Sequence, residues 1–239
     1  MRRPIPTVVD DVLVGLGLVL LSIAGALWVS PPGPVPTASA NAPTGDGGWK
    51  PLIDGDPPIA WPCNADLDVA INLARVPEAQ RLQLVDDIDA SLEHITAGSP
   101  YRLRRTYDLA VIPTEDTLAD VAAAAGAEIV IAVDDLTQPD ATDLLSPGAY
   151  GTGGLYYRGP HAYAGWVLLD VSALAGLTPG SGPRSHQALI IHELLHALGV
   201  GHTQHPTSIM QPALQSNTGL LADVDIAALA RLNLLVCQK

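Results

Sequence analysis

Apolar positions along this chain change period several times, and each change marks an element. Leu67 to Leu73 alternate closely enough for a strand. Pro77 sits where a first-turn proline belongs, and Leu82, Val85, Ile88 and Leu92 then recur on one face, predicting a helix to about Thr96 that Gly98 and Pro100 end. Strand-like runs follow at Tyr101 to Tyr107 and Glu128 to Val133, with a short Ala-rich helix between them. After a Gly- and Pro-rich loop, Gly154 to Arg158 and Tyr163 to Asp170 read as two more strands, separated by a Gly159-Pro160 turn. Ser185 suits the N-cap of a helix from His186 to Leu198, and Gly199 is placed to stop it. A last helix is expected from Ala222 to Val236. Strands and helices interleave in one mixed domain from Trp61 to Lys239, without internal repeats.

Ahead of that domain the pattern is different. Arg2-Arg3 and Asp10-Asp11 precede an uncharged stretch from Val12 to Val29, which as a helix would span about 27 Å, one hydrocarbon core. Residues 1–40 are therefore expected to target a membrane. Ala38-Ser39-Ala40 has the form of a signal-peptidase site that would leave a chain starting near Asn41, yet the apolar run is longer than a usual signal peptide, so a signal anchor and a cleaved signal both stay open. With Arg2 and Arg3 kept inside, everything after Val29 is expected outside the cytoplasm, membrane-anchored or secreted. Residues 41–60 are rich in Pro and Gly and read as an extended linker.

Composition adds bounds. The 239 residues are 48% hydrophobic and 15% charged, which suits a packed core, and with no Phe that core must be built from Ala, Val, Leu and Ile. The net charge of −13, with Arg and Lys scattered, offers no basic stripe to neutralise phosphates and argues against a nucleic-acid partner. The only two cysteines, Cys63 and Cys237, lie at opposite ends of the domain, on the expected outer side. An even pair in an oxidising compartment points to a disulfide, two unpaired buried thiols being the alternative.

The chemistry concentrates in His192-Glu193-Leu194-Leu195-His196-Ala197-Leu198-Gly199-Val200-Gly201-His202. Residues four apart on a helix share a face, so His192 and His196 can aim at one ion, while Glu193, turned by about 100°, stands beside it. On a continuous helix His202 would lie about 9 Å beyond His196, so the chain must turn, and Gly199 can turn it at little cost in a left-handed conformation. Three neutral nitrogens with one open position describe a catalytic zinc site. In such a site Glu193 takes a proton as zinc-bound water attacks a carbonyl and passes it to the leaving amine. Five fixed positions match by chance in a chain this long about once in ten thousand. His205, three residues past His202, is a competing third ligand whose spacing from Gly199 is wrong; His94 and His186 read as helix-surface residues.

This stretch resembles the long zinc-binding consensus of the metzincins, His-Glu-x-x-His-x-x-Gly-x-x-His. Ser208-Ile209-Met210 is similar to the Met-turn of that clan, whose methionine, here Met210, floors the metal ligands. Within the clan the chain is most similar to matrixins, through His-Ala-Leu-Gly, the Gly-His pair and a C-terminal helix with Asp223, Asp225 and Leu229. The resemblance is strong from Gln187 to Pro212 and faint before it. It implies an α+β, metzincin-like zincin fold, with a twisted, mostly parallel sheet, about three helices and a cleft that takes peptide or protein substrates. It also implies that an edge strand, Gly154 to Arg158, pairs with the substrate backbone, and that Gln211 to Ser216 wall the pocket beyond the cut bond.

Two features depart from the family. Only His161 and Asp170 are offered for the second, structural zinc of many matrixins, so one catalytic zinc is expected; and no pro-segment thiol is recognisable, which leaves latency open. Calcium is a weaker candidate around Asp134, Asp135, Asp140 and Asp143. The expectation is a monomeric, extracytoplasmic zinc endopeptidase. A zinc-fold peptide-binding module without turnover and an amidase of cell-wall peptides are the rivals.

Overall fold

The computed structural model of the chain describes residues 48–55, 58–109, 117–138, 141, 144, 145, 148–214 and 220–238. The expected membrane-targeting segment lies outside them. Among the described residues no helix is long and apolar enough to cross a membrane.

The fold is α+β. Strands β1 (Asp66–Asn72), β2 (Arg102–Asp108), β3 (Ile129–Asp134), β4 (Gly151–Arg158) and β5 (His161–Asp170) form one sheet in the order β2-β1-β3-β5-β4. The first four in that order run parallel, and β4 pairs antiparallel with β5 at one edge. Five helices accompany the sheet: α1 (Glu78–Gly98), α2 (Leu118–Ala125), α3 (Val171–Ala175), α4 (His186–Ala197) and α5 (Asp223–Cys237). About three were expected; α2 answers to the Ala-rich stretch, and the five residues of α3 are too few to show a helical period.

The mostly parallel arrangement explains why β3 reads as a continuous apolar run: all six of its residues are buried. One face carries the main core, where Leu84, Ile88, Leu92 and Ile95 of α1, Leu189, Ile190, Leu194 and Leu195 of α4, and Ala228, Leu229 and Leu232 of α5 meet the sheet. The other face carries a small cluster in which Ala122 of α2 packs with Val130 and Ala164.

Four expectations need correction. Leu82, assigned to the apolar face of the first helix, is 81% exposed; the buried face is Leu84, Asp87, Ile88, Ser91, Leu92 and Ile95. Two polar residues disguise that face, and both are satisfied inside: Ser91 Oγ donates to Asp87 O, and the Asp87 carboxylate accepts from Gly180 N and pairs with His186 Nδ1, each at 2.9 Å. His186 is consequently no free surface residue; its Nε2 meets Leu174 O at 3.0 Å. The stretch read as a linker lies against the domain from Gly48 onward, with Ala60 fully buried and Trp49, Leu52 and Ile53 packed on the core. β4 begins at Gly151 instead of Gly154, because pairing of Gly151 to Gly153 with Leu169 to Val167 overrides the poor strand propensity of glycine.

Cys63 and Cys237 form a disulfide that joins the entry of the domain to the end of α5, and the Asn233 side chain beside it accepts from Asn64 N at 2.8 Å. Replacing both cysteines by serine is expected to lower the unfolding free energy by a few kcal/mol, up to about 5 kcal/mol in the chain-entropy limit for a 174-residue separation. Denaturant titration checks it. An unchanged unfolding free energy would show that other contacts alone hold this end of the chain.

Candidate metal centre

Helix α4 starts where Ser185 Oγ accepts from Ala188 N at 3.1 Å, and it stops in a paired turn: Gly199 N donates to His196 O and Val200 N to Leu195 O, both at 2.9 Å. Gly199 holds φ +97°, which a side chain would strain, so the glycine is there for the turn. The indole of buried Trp61 donates to Ala197 O at 2.8 Å and pins the helix end.

Beyond the turn the chain doubles back and is braced from the N-terminal side. Leu52 N donates to Gly199 O (2.7 Å), Gly201 N to Lys50 O (2.8 Å) and Thr203 Oγ1 to Gly48 O (3.0 Å). His202 Nε2 then stands 3.2 Å from His192 Nε2 and 3.1 Å from His196 Nε2. No other group of three or more His, Cys, Asp or Glu among the described residues is disposed to hold a metal ion. His205 points its Nδ1 toward Thr207 instead, at 3.1 Å from the hydroxyl.

The ring protons can be assigned from their partners. His192 Nδ1 donates to Ile209 O at 2.7 Å and His196 Nδ1 to Val200 O at 2.8 Å; a carbonyl can only accept, so both Nδ1 atoms carry hydrogen. In the neutral rings both Nε2 atoms are then bare lone pairs aimed at a third nitrogen. His202 Nε2 holds at most one proton and cannot satisfy both, so the arrangement is repulsive without a cation between the rings. Zinc fits it: nitrogens about 2.0–2.1 Å from a tetrahedral ion lie about 3.3–3.4 Å apart, close to the observed separations. Burial keeps the rings neutral, drawing His192 down to about 4, His196 well below the usual histidine value and His202 below it as well.

Glu193 is 3% exposed, and burial pushes its carboxyl up to about 8. Met210 is fully buried, and its carbonyl accepts from Thr203 N at 2.9 Å, tying the turn to the residue after His202. Asp225 supports the same turn. Its carboxylate accepts from Ser208 Oγ, from Ile209 N at 3.1 Å and from Ala222 N at 3.0 Å, although burial holds its pKa above the usual carboxylate value. Sequence reading placed Asp225 on the last helix and missed this role; a buried acid in a first helical turn was the signal available.

A family model described as Matrixin matches residues 169–233, the end of β5 through most of α5. Over that segment the chain is similar to the matrixins, within the metzincins. No curated protein matches it. Matrixins use zinc, and the match falls on the segment that carries the histidine triad. In this matrixin-like domain His161 and Asp170 stand at opposite ends of β5. Of the candidate calcium residues, Asp134 pairs with Arg75 at 2.8 Å and Asp135 accepts from Thr137 and Gln138, while Asp140 and Asp143 lie outside the described residues.

Asp225→Ala leaves buried donors on Ser208 and Ile209 unpaired and frees the carbonyl that orients His192. It is expected to cost ~3 kcal/mol of stability and to weaken zinc binding roughly 10–100-fold in chelator competition; unchanged zinc affinity would detach the Met-turn from the metal centre.

A pH dependence follows for the metal-free protein. Glu193, raised from 4.5 to about 8, contributes stability in full below pH 4.5 and loses it as pH rises toward 8. The histidines act oppositely: His192, lowered from 6.5 to about 4, contributes in full above pH 6.5 and loses it as pH falls toward 4. Stability of the chelated protein is expected to peak near pH 6.5. The advantage of chelated Glu193→Gln over chelated wild type should grow from pH 4.5 to 8 in thermal unfolding, and a constant difference would contradict the assignment.

Proposed function

We propose that this chain is a zinc-dependent endopeptidase that hydrolyses peptide bonds outside the cytoplasm. The observation that carries the reading is the convergence of the His192 and His196 Nε2 atoms on His202 Nε2, at 3.2 and 3.1 Å, next to buried Glu193. The Matrixin match on the same segment supports it.

His192, His196 and His202 would hold the zinc ion through Nε2. When bound, zinc supplies Lewis acidity toward water and toward a peptide carbonyl oxygen. The chain's own part is to place and move protons. The backbone carbonyls of Val200 and Ile209 keep the Nδ1 protons of His196 and His192, so both Nε2 atoms stay free to coordinate. Glu193 accepts a proton on its carboxylate from the attacking water and delivers it to the amine nitrogen of the leaving product. A buried carboxyl of raised basicity is suited to both transfers, and a nearby cation would bring it back toward ionisation.

Substrate binding follows from topology. Among the described residues β4 is the sheet's edge strand, with no other strand on its free side, and an extended peptide can add there as a further strand. Residues 211–214 continue from Met210 and would wall the pocket past the cut bond. The catalytic unit in this reading runs from about residue 48 to the C-terminal helix. The Cys63–Cys237 disulfide suits an oxidising compartment, to which the apolar stretch from Val12 to Val29 would deliver the domain, anchored or cleaved.

Glu193→Ala is expected to bind one zinc per chain and to lose peptide hydrolysis by about 10²–10⁴-fold, measured by zinc content and by mass-spectrometric mapping of cuts in a broad peptide library. If zinc-loaded wild-type protein cuts nothing in that library, the endopeptidase reading falls and a peptide-binding domain takes its place.

A further inference from the structure

The Glu193 carboxylate has no hydrogen-bond partner among the described residues, although the residue is 3% exposed. Its position is set by what it touches. β4 crosses α4 here: a β-carbon added at Gly153 would stand 2.1 Å from the Glu193 carbonyl oxygen, and one at Gly151 would stand 2.9 Å from Glu193 Cγ and 3.1 Å from Oε1. Alternation along the strand puts Gly151, Gly153 and Leu155 on the same face, and Leu155 returns to ordinary core packing. Neither Gly151 nor Gly153 has a positive φ, so these positions do not need glycine for its backbone freedom. They need the missing β-carbon.

We propose that Gly151 is a positioning residue for Glu193: its bare backbone is the wall against which the glutamate side chain rests, and Gly153 sets the strand-to-helix distance that lets the wall reach it. The proposal rests on the peptidase reading. One strand then serves both partners of the reaction, since the edge offered to the peptide and the wall behind the base belong to the same eight residues of β4. Any displacement of β4 moves the base together with the bond it serves.

Gly151→Ala is the test, because Gly153→Ala drives a methyl into backbone and endangers folding. In zinc-loaded protein, Gly151→Ala is expected to lower kcat about 10–100-fold, with KM within threefold of wild type and zinc still at one per chain. The new methyl also approaches Leu169 Cδ2, at 3.0 Å, so the measurement is repeated with Leu169→Val in place, where kcat should remain low. Thermal unfolding supplies a readout free of turnover. In the Leu169→Val background, Gly151→Ala should lower the midpoint by about 2–4 °C when Glu193 is present and leave it unchanged when Glu193 is replaced by alanine. A kcat within twofold of wild type, or an equal midpoint loss with and without the Glu193 side chain, overturns the proposal. A zinc-loaded wild type that cleaves no peptide removes the peptidase reading alone, and the unfolding comparison still decides whether the contact exists.

Discussion

An imidazole on a helix can offer a lone pair to a cation only if its proton is held on the other nitrogen, and the centre depends on two backbone carbonyls that do this. Val200 O takes the His196 proton and Ile209 O takes that of His192. Neither carbonyl lies on the helix. Val200 reaches His196 because the turn at Gly199 folds the chain back on the last residues of α4, and Ile209 reaches His192 because the Met-turn comes up beside the helix. The same turn that brings His202 toward the other rings therefore also orients His196. Glycine at position 199 serves ligand supply and ligand tautomer together.

The rest of the molecule keeps those two loops in place. Asp225, in the first turn of α5, binds Ser208 and Ile209 and so fixes the Met-turn from behind. The far end of α5 is tied to the domain entry by Cys63–Cys237 and by the Asn64–Asn233 pair. On the opposite flank, Gly48 to Leu52 run beside Gly199 to Thr203 and share hydrogen bonds with them. Ile209 N, Gly199 O and Gly201 N are held by their backbone groups, which transmit position with little slack. The buried rings sit in a site whose low polarity strengthens every interaction with a cation and penalises protonation that would expel it.

The sheet contributes through its edge. β4 approaches α4 to backbone contact at Glu193, a closeness that Gly151 and Gly153 allow, and Leu155 restores normal spacing farther along. The sheet thus holds the face of the helix that carries Glu193, while the turns hold the face that carries His192 and His196.

The sequence alone carried the motif and the order of elements. Residues four apart must share a helical face, and a histidine six residues later can join them only past a glycine turn; both facts are local geometry, so the meeting of the three histidines and the turn at Gly199 were legible in the sequence. Strand and helix positions were legible where the apolar pattern was strong, by alternation in β1 and as an unbroken run in β3. Tertiary structure decided what local pattern cannot express. The buried face of α1 contains Asp87 and Ser91, whose polarity hides it from a hydropathy reading until His186 and Gly180 appear as partners. Gly48 to Leu52 look like linker because their hydrogen bonds go to residues Gly199 to Thr203, far along the chain. Gly151 to Gly153 became strand through pairing with β5, and their meaning, room for a glutamate, exists only where helix and strand meet. A β-carbon that is absent leaves no trace in sequence until the atom it would have struck is known.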